Sequence, residues 1–223
     1  MGKAITFERP DGAKATGYLA EARDPKAPGI VVIQEWWGVS GQIKGICDKL
    51  AAAGYHALAP DLYEGIVVPY HDSKAAERAM NALDFRSSTD QVVRGAALTL
   101  KRNSANVGLT GFCLGGIVAA LGAIRIPEFA ASVGFYGLPS PELGDPRKLQ
   151  VPFQGHFALT DEWCTPADVN AFEAGLKNVK VPHEIYRYDA QHGFMNEDRP
   201  HFDPANAKLA WERALRFWVT HLG

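Results

Sequence analysis

The sequence predicts an α/β fold: a mostly parallel central sheet with helices on both faces and an antiparallel hairpin at its N-terminal end. Three observations carry this. From Ile30 onward, short apolar runs alternate with helix-period segments, the pattern of a parallel sheet built by right-handed crossovers. Ile30-Val31-Val32-Ile33 is apolar at every position rather than at every second one, as in a strand covered on both faces. The third is Gly111-Phe112-Cys113-Leu114-Gly115-Gly116, which follows the strand-like run Asn106 to Thr110 and leads into the apolar Ile117 to Ile124. It reads as strand, tight turn, helix, with a cysteine at the apex.

A chain of 223 residues is long enough to bury a full core, and one domain over residues 1–223 is expected. A formal net charge of -2 gives neither a basic footprint for nucleic acid nor a polyacidic tail. The three cysteines, Cys47, Cys113 and Cys164, form no Cys-x-x-Cys pair. With no secretory leader visible and no apolar run of about 20 residues, the expectation is a soluble cytoplasmic monomer without a membrane partner. Met1 to Thr6 fits a loose myristoylation pattern, but Ile5 and Phe7 alternate with polar neighbours as a strand does.

Taken in order, Ala4 to Glu8 and Lys14 to Ala20 flank Arg9-Pro10-Asp11-Gly12, a turn signal, and form the hairpin. After the Ile30 strand, Ser40 caps a helix reaching Ala53, with Gly54 as its stop. Ile43, Ile46, Cys47 and Leu50 share one face there, so Cys47 is a packing residue. Tyr55 to Ala59 is a strand, and Asp61 to Tyr70 a loop carrying Tyr63. Helices follow at Ser73 to Leu83 and Ser87 to Arg102, the second with Ser87 and Asp90 as a capping box. Ala130 to Tyr136, Val151 to Ala158 and His183 to Tyr188 are strands. Pro166 to Leu176 is a helix, and so is Pro204 to His221, with Trp211, Leu215, Trp218 and Leu222 on its packed face.

In such sheets the site lies at the carboxyl ends of the strands. The loops after Ile33, Thr110, Ala158 and Tyr188 contain Glu35, Cys113, Asp161 and His192. Nucleophile, acid, histidine is the chain order of the α/β-hydrolase fold. Cys113 sits where a helix N-terminus favours a thiolate. His192 is placed to act as base and then acid, and Asp161 to hold the other ring nitrogen. Each residue alone has an ordinary explanation: a small buried thiol, a surface histidine, a turn aspartate. Their joint order does not. The Leu114 N–H, and one from Trp36, would hold a developing oxyanion. Cys164 is a packing residue by default, with a redox partnership to Cys113 as the alternative. No Cys/His cluster argues for a metal.

Gln34-Glu35-Trp36-Trp37-Gly38-Val39, Pro60-Asp61-Leu62-Tyr63, the cysteine elbow, His156 to Asp161 and His192-Gly193-Phe194 together resemble the dienelactone hydrolase (carboxymethylenebutenolidase) family, from about Ala4 to the C-terminal helix. The resemblance implies a Cys113–His192–Asp161 triad and a Leu114 and Trp36 oxyanion hole. It implies that Glu35 contacts the resting thiol and swings away when an anionic substrate binds. The implied reaction opens an enol-lactone through a thioester, with no metal or organic cofactor. That family grips the substrate carboxylate with two arginines, and this chain has Asn196 where one would stand. Arg199 lies nearby but out of register, and Arg78 and Arg86 are candidates for the other. Tyr63, Trp36 and Trp37 are further candidate substrate contacts, the tryptophans suiting an apolar ester. The alternatives are a broad esterase for uncharged esters and a non-catalytic ligand-binding protein that keeps the fold.

Overall fold

The computed structural model describes residues Met1–Gly223. Eight strands form one sheet in the order β1-β2-β4-β3-β5-β6-β7-β8. β1 (Lys3–Glu8), β2 (Lys14–Ala20) and β4 (His56–Pro60) pair antiparallel in succession. From β4 through β3 (Gly29–Ile33), β5 (Val107–Phe112), β6 (Ala131–Phe135), β7 (Phe153–Thr160) and β8 (His183–Gln191) every pairing is parallel. The expected hairpin therefore occupies one edge, and every residue of β3, β4, β5 and β6 is buried.

Apolar side chains above and below the sheet make two main cores. α1 (Gly41–Ala52) and α7 (Pro204–Leu222) cover one face, through Ile43, Leu50, Ala214 and Trp218. α4 (Arg94–Leu100) and α5 (Leu114–Arg125) cover the other, through Ala96, Leu100 and Val118. α6 (Pro166–Leu176) closes the β7 end with Phe172 and Leu176 against Phe153. Ser40 caps α1 as expected, and Cys47 is fully buried in the first core.

Three expectations change. The helix placed at Ser87 begins earlier: Asp84 accepts the Ser87 N–H at 3.0 Å and caps α3 (Phe85–Ser87), while α2 (Ser73–Asn81) precedes it. Ser87 caps nothing, and a π-helical stretch (Ser88–Val93) joins α3 to α4. Asp90 is taken instead by an ion pair with Arg125 of α5. On α7 the fully packed stripe is Ala207, Ala210, Ala214, Phe217, Trp218 and Leu222, whereas Trp211 and Leu215 are only half-buried. Finally, β5, β7 and β8 run to Phe112, Thr160 and Gln191, and α5 starts at Leu114 directly behind the cysteine.

The turn between β5 and α5 is tight enough to exclude any side chain at Gly111, where a Cβ would fall 2.0 Å from the Gly115 carbonyl oxygen. Gly111→Ala is accordingly expected to lower the unfolding free energy by about 3 kcal/mol. Gly45→Ala, in open space on α1, should raise it by about 1 kcal/mol. Urea denaturation compares the two, and equal effects would mean that the turn does not constrain the fold.

Candidate active site

Cys113 carries φ 57° and ψ -117°, a conformation unfavourable for any residue with a Cβ. Its backbone is fixed from both sides: its N–H donates to the Phe135 carbonyl at 3.0 Å, and its carbonyl accepts from Gly116 at 2.8 Å. A short polar loop does not impose such geometry; a strand end clamped between two others does. The next residue, Leu114, opens α5, and the first N–H groups of a helix have no partner within it.

His192 and Asp161 come together as the chain order implies. The Asp161 carboxylate, wholly buried, meets His192 Nδ1 at 2.8 Å through one oxygen. Its other oxygen accepts the N–H groups of Trp163 at 2.8 Å and Cys164 at 3.0 Å, so the carboxylate cannot turn away. Burial works against a charged His192 ring, but the negative charge of Cys113 and hydrogen bonds to Asp161 and Cys113 outweigh it. The pKa of His192 is raised to about 10.

Glu35 is buried at the next strand end. Tyr136, the residue after β6, donates its hydroxyl to one Glu35 oxygen at 3.0 Å, and Asn196 Nδ2 donates to the other at 2.6 Å. Both oxygens are thus turned to these donors, and neither is hydrogen-bonded to Cys113. Burial raises the Glu35 pKa, the two donors and the charges of His192 and Arg199 opposing it. Tyr136 was not singled out in the sequence, although it follows a strand end by the same rule that located Glu35 and Asp161.

A cavity of about 250 Å³ opens on these groups. Cys113, His192, Glu35 and Asn196 line it, with Trp36, Trp37, Met80, Leu114, Ile117, Leu138 and Trp163 supplying most of its apolar wall. Arg199 also lines it, stacking 5.0 Å from the Trp37 ring centre and 5.4 Å from that of Tyr70. Arg199 donates to the Tyr70 carbonyl at 3.0 Å and makes no ion pair with a carboxylate. Arg78 and Arg86 do not line the cavity: both are exposed, and Arg86 donates to the Glu142 carbonyl at 2.6 Å. In α2 it is Met80, two residues beyond Arg78, that faces the site. Tyr63 is buried in the second core rather than in the cavity wall.

Cys164 lines the cavity yet packs against Phe157 and Val169, and burial pushes its thiol pKa up. His156 is buried between Tyr188 and Gln154, its pKa lowered by burial to about 3, and it serves as a neutral strut. No group of three or more His, Cys, Asp or Glu side chains is arranged to hold a metal ion, and no helix is long and apolar enough to cross a membrane.

The sequence profile described as the dienelactone hydrolase family matches residues 15–222. The chain belongs to that family. A protein of Aquifex aeolicus provisionally named a carboxymethylenebutenolidase is 35% identical, with 100% of each chain covered. A crystal structure from Klebsiella pneumoniae, provisionally described as a dienelactone hydrolase, superposes with a TM-score of 0.85 at 25% identity over 98% of this chain and 99% of that one. A dienelactone hydrolase-like promiscuous phosphotriesterase, P91, shares the fold at a TM-score of 0.82 and 20% identity, over 100% of this chain and 99% of its own. This dienelactone hydrolase family member is a carboxylic ester hydrolase with the α/β-hydrolase fold.

The environment of His192 sets a pH dependence. With its folded-state pKa raised to about 10, charged His192 stabilises the fold below its unfolded pKa of about 6.5, and that contribution is lost as pH rises through about 10. NMR titration of the His192 ring should find its midpoint far above that of an exposed histidine. Asp161→Asn should move it down, since the carboxylate is one of the groups holding it up. A wild-type midpoint near 6.5 would contradict this electrostatic account.

Proposed function

We propose that the protein hydrolyses small carboxylic esters or lactones through a thioester on Cys113. The supporting observation is that buried Asp161 holds His192 Nδ1 at 2.8 Å while His192 and Cys113 line the same cavity, in the chain order nucleophile, acid, histidine. The Cys113 sulfur, as thiolate, attacks the carbonyl carbon, and the carbonyl oxygen becomes an oxyanion held by the Leu114 and Trp36 N–H groups. The tetrahedral adduct collapses, the bond to the alcohol or enol oxygen breaks, and imidazolium His192 gives that oxygen its proton. In a lactone the freed oxygen stays tethered to the acyl chain. Water, deprotonated by His192, then attacks the thioester, and the thiolate leaves with the carboxylic acid formed.

The uncompensated cation Arg199 beside this pair favours a substrate with a negative group, because a guanidinium without a carboxylate partner offers its free N–H donors to an anion. Arg199 stands in for the arginine that Asn196 replaces. A second reading, an esterase for uncharged hydrophobic esters, is favoured by the predominance of apolar side chains in the cavity wall.

Steady-state hydrolysis of a dienelactone beside an uncharged short-chain aryl ester tests both. Cys113→Ala should lower kcat for each by about 10³-fold or more. Arg199→Met should raise KM for the anionic lactone by about 10- to 100-fold and leave the neutral ester unchanged. Turnover that survives in Cys113→Ala would refute the thioester route. An unchanged lactone KM in Arg199→Met would leave the neutral-ester reading standing.

A further inference from the structure

Of the phenylalanine, tyrosine and tryptophan rings in this protein, Trp163 is the one left in water, 65% exposed where Trp37 is 3%. An indole stabilises a fold by burying its large apolar surface, and one left exposed gives most of that up. Its position is nevertheless held tightly. The Trp163 N–H donates to Asp161 at 2.8 Å, and the Cys164 N–H donates to the same oxygen at 3.0 Å. Cys164 is buried against Phe157 and Val169, and Thr165 then caps α6 with a reciprocal bond to Asp168. A backbone clamped in this way fixes where the ring emerges, so its exposure is built in and is not the drift of a loose loop.

The ring emerges at the cavity that holds Cys113 and His192, whose wall it joins. Its one ring neighbour is Trp36, edge-on with centres 5.5 Å apart. From Trp36 the wall continues to Trp37 at 5.1 Å, and the Arg199 guanidinium lies 5.0 Å from the centre of the Trp37 ring. The wall thus has an apolar end open to water, a cationic end, and Trp36 and Trp37 between them. The two ends also differ in their relation to the chemistry. Trp163 is two residues from the aspartate that orients His192, the side from which a proton reaches the departing oxygen. Arg199 is separated from Trp163 by both intervening indoles.

We propose that Trp163 is the recognition surface for the alcohol part of the substrate, and that the substrate is a half-ester of a dicarboxylic acid with an aromatic alcohol. Its ring lies against the Trp163 indole, its scissile carbonyl meets Cys113, and its free carboxylate meets Arg199. The inference rests on the ester-hydrolysis reading above and adds to it which group lies at which end. A planar ring laid on the indole removes apolar area of both partners from water and gains the offset or edge-on contact that aromatic pairs prefer. An alkyl alcohol too short to cover the ring gains little of either. The carboxylate at the other end takes the N–H donors that Arg199 has left after its bond to the Tyr70 carbonyl. The apolar wall and the cation then serve two ends of one molecule.

The test uses the full-length protein with the mono-para-nitrophenyl and monoethyl esters of glutaric acid, and with para-nitrophenyl and ethyl butyrate. Measuring kcat/KM for each gives a pair of selectivity ratios, aryl over ethyl and glutarate over butyrate. Each ratio compares the same compounds across variants, so the intrinsic reactivity of the aryl ester cancels. Trp163→Ala should lower the aryl-over-ethyl ratio about 10-fold in both acyl series without lowering the thermal midpoint, since the ring is exposed. Trp163→Phe should recover most of that ratio, and Arg199→Met should lower the glutarate-over-butyrate ratio alone. A Trp163→Ala protein that slows aryl and ethyl esters equally, through Asp161, leaves the ratio unmoved and overturns the proposal. One that moves the glutarate ratio instead overturns it too, by placing the acyl end on the indole. Aryl ester turnover that persists in Cys113→Ala would refute the thioester reading, and the proposal with it, by a separate signal.

Discussion

The backbone of Cys113 is held at a positive φ that costs about 1–3 kcal/mol to maintain, and the surrounding strand ends are arranged around that strain. Gly111 and Gly115 approach too closely for a Cβ. A side chain at Gly137 would strike the Cys113 carbonyl oxygen at 2.0 Å. The N–H bond to Phe135 ties the elbow to β6, and the next residue, Tyr136, is itself at φ 37°. Strain at the sulfur is thus transmitted to the tyrosine that orients Glu35. Relaxing the elbow would move the thiol, the Leu114 N–H and the Tyr136 hydroxyl together. That is why the site is built at strand ends inside a parallel sheet and not on a free loop.

Two buried carboxylates stand within this site, and their partners differ. Asp161 receives two backbone N–H groups and the Nδ1 of His192. Glu35 receives two neutral donors, and burial prevails, raising its pKa. A carboxyl drawn toward its neutral form next to the Trp36 N–H repels a developing oxyanion less than a full charge would. The objection to a glutamate at that position, plain from sequence, is thereby reduced by environment. The same pair of donors fixes the direction of its oxygens, and direction is something no spacing in the chain encodes.

What the sequence reveals divides along this line. Cys113, Asp161 and His192 were legible because each follows a strand in a set order, and strands are read from local pattern. Arg78 and Arg86, the two candidates for one arginine, lie outside the cavity because the face a helix turns inward is decided by packing: α2 turns Met80 to the cavity, and Arg86 on α3 donates to the Glu142 carbonyl. Arg199 sits beyond successive turns, in which the Asn196, Arg199 and Phe202 N–H groups each reach back three residues. Its distance from His192 along the chain does not measure its distance in space. The cap at Asp84 over Ser87 is a similar case: both residues suit the role locally, and the Arg125 side chain from α5 decides it by engaging Asp90.

The aromatic side chains connect recognition to this machinery. Trp163 packs edge-on against Trp36 at 5.5 Å, Trp36 against Trp37 at 5.1 Å, and Trp37 against Tyr70 at 5.2 Å. One end of this line, Trp163, is 65% exposed; the other carries the Arg199 guanidinium. Trp163 follows Asp161 by two residues and donates to it, so the line is anchored to the carboxylate that orients His192. In the proposed mechanism the Trp36 N–H is the second oxyanion donor, and a substrate that settles on the rings would then also press on the segment that holds its oxygen. Binding energy gained at the apolar wall is in this way available where charge develops. A rigid line of rings in edge contact transmits that energy better than flexible aliphatic side chains would, since each ring fixes the next with only two torsions to lose. On that proposal, selectivity and rate depend on the same few indoles.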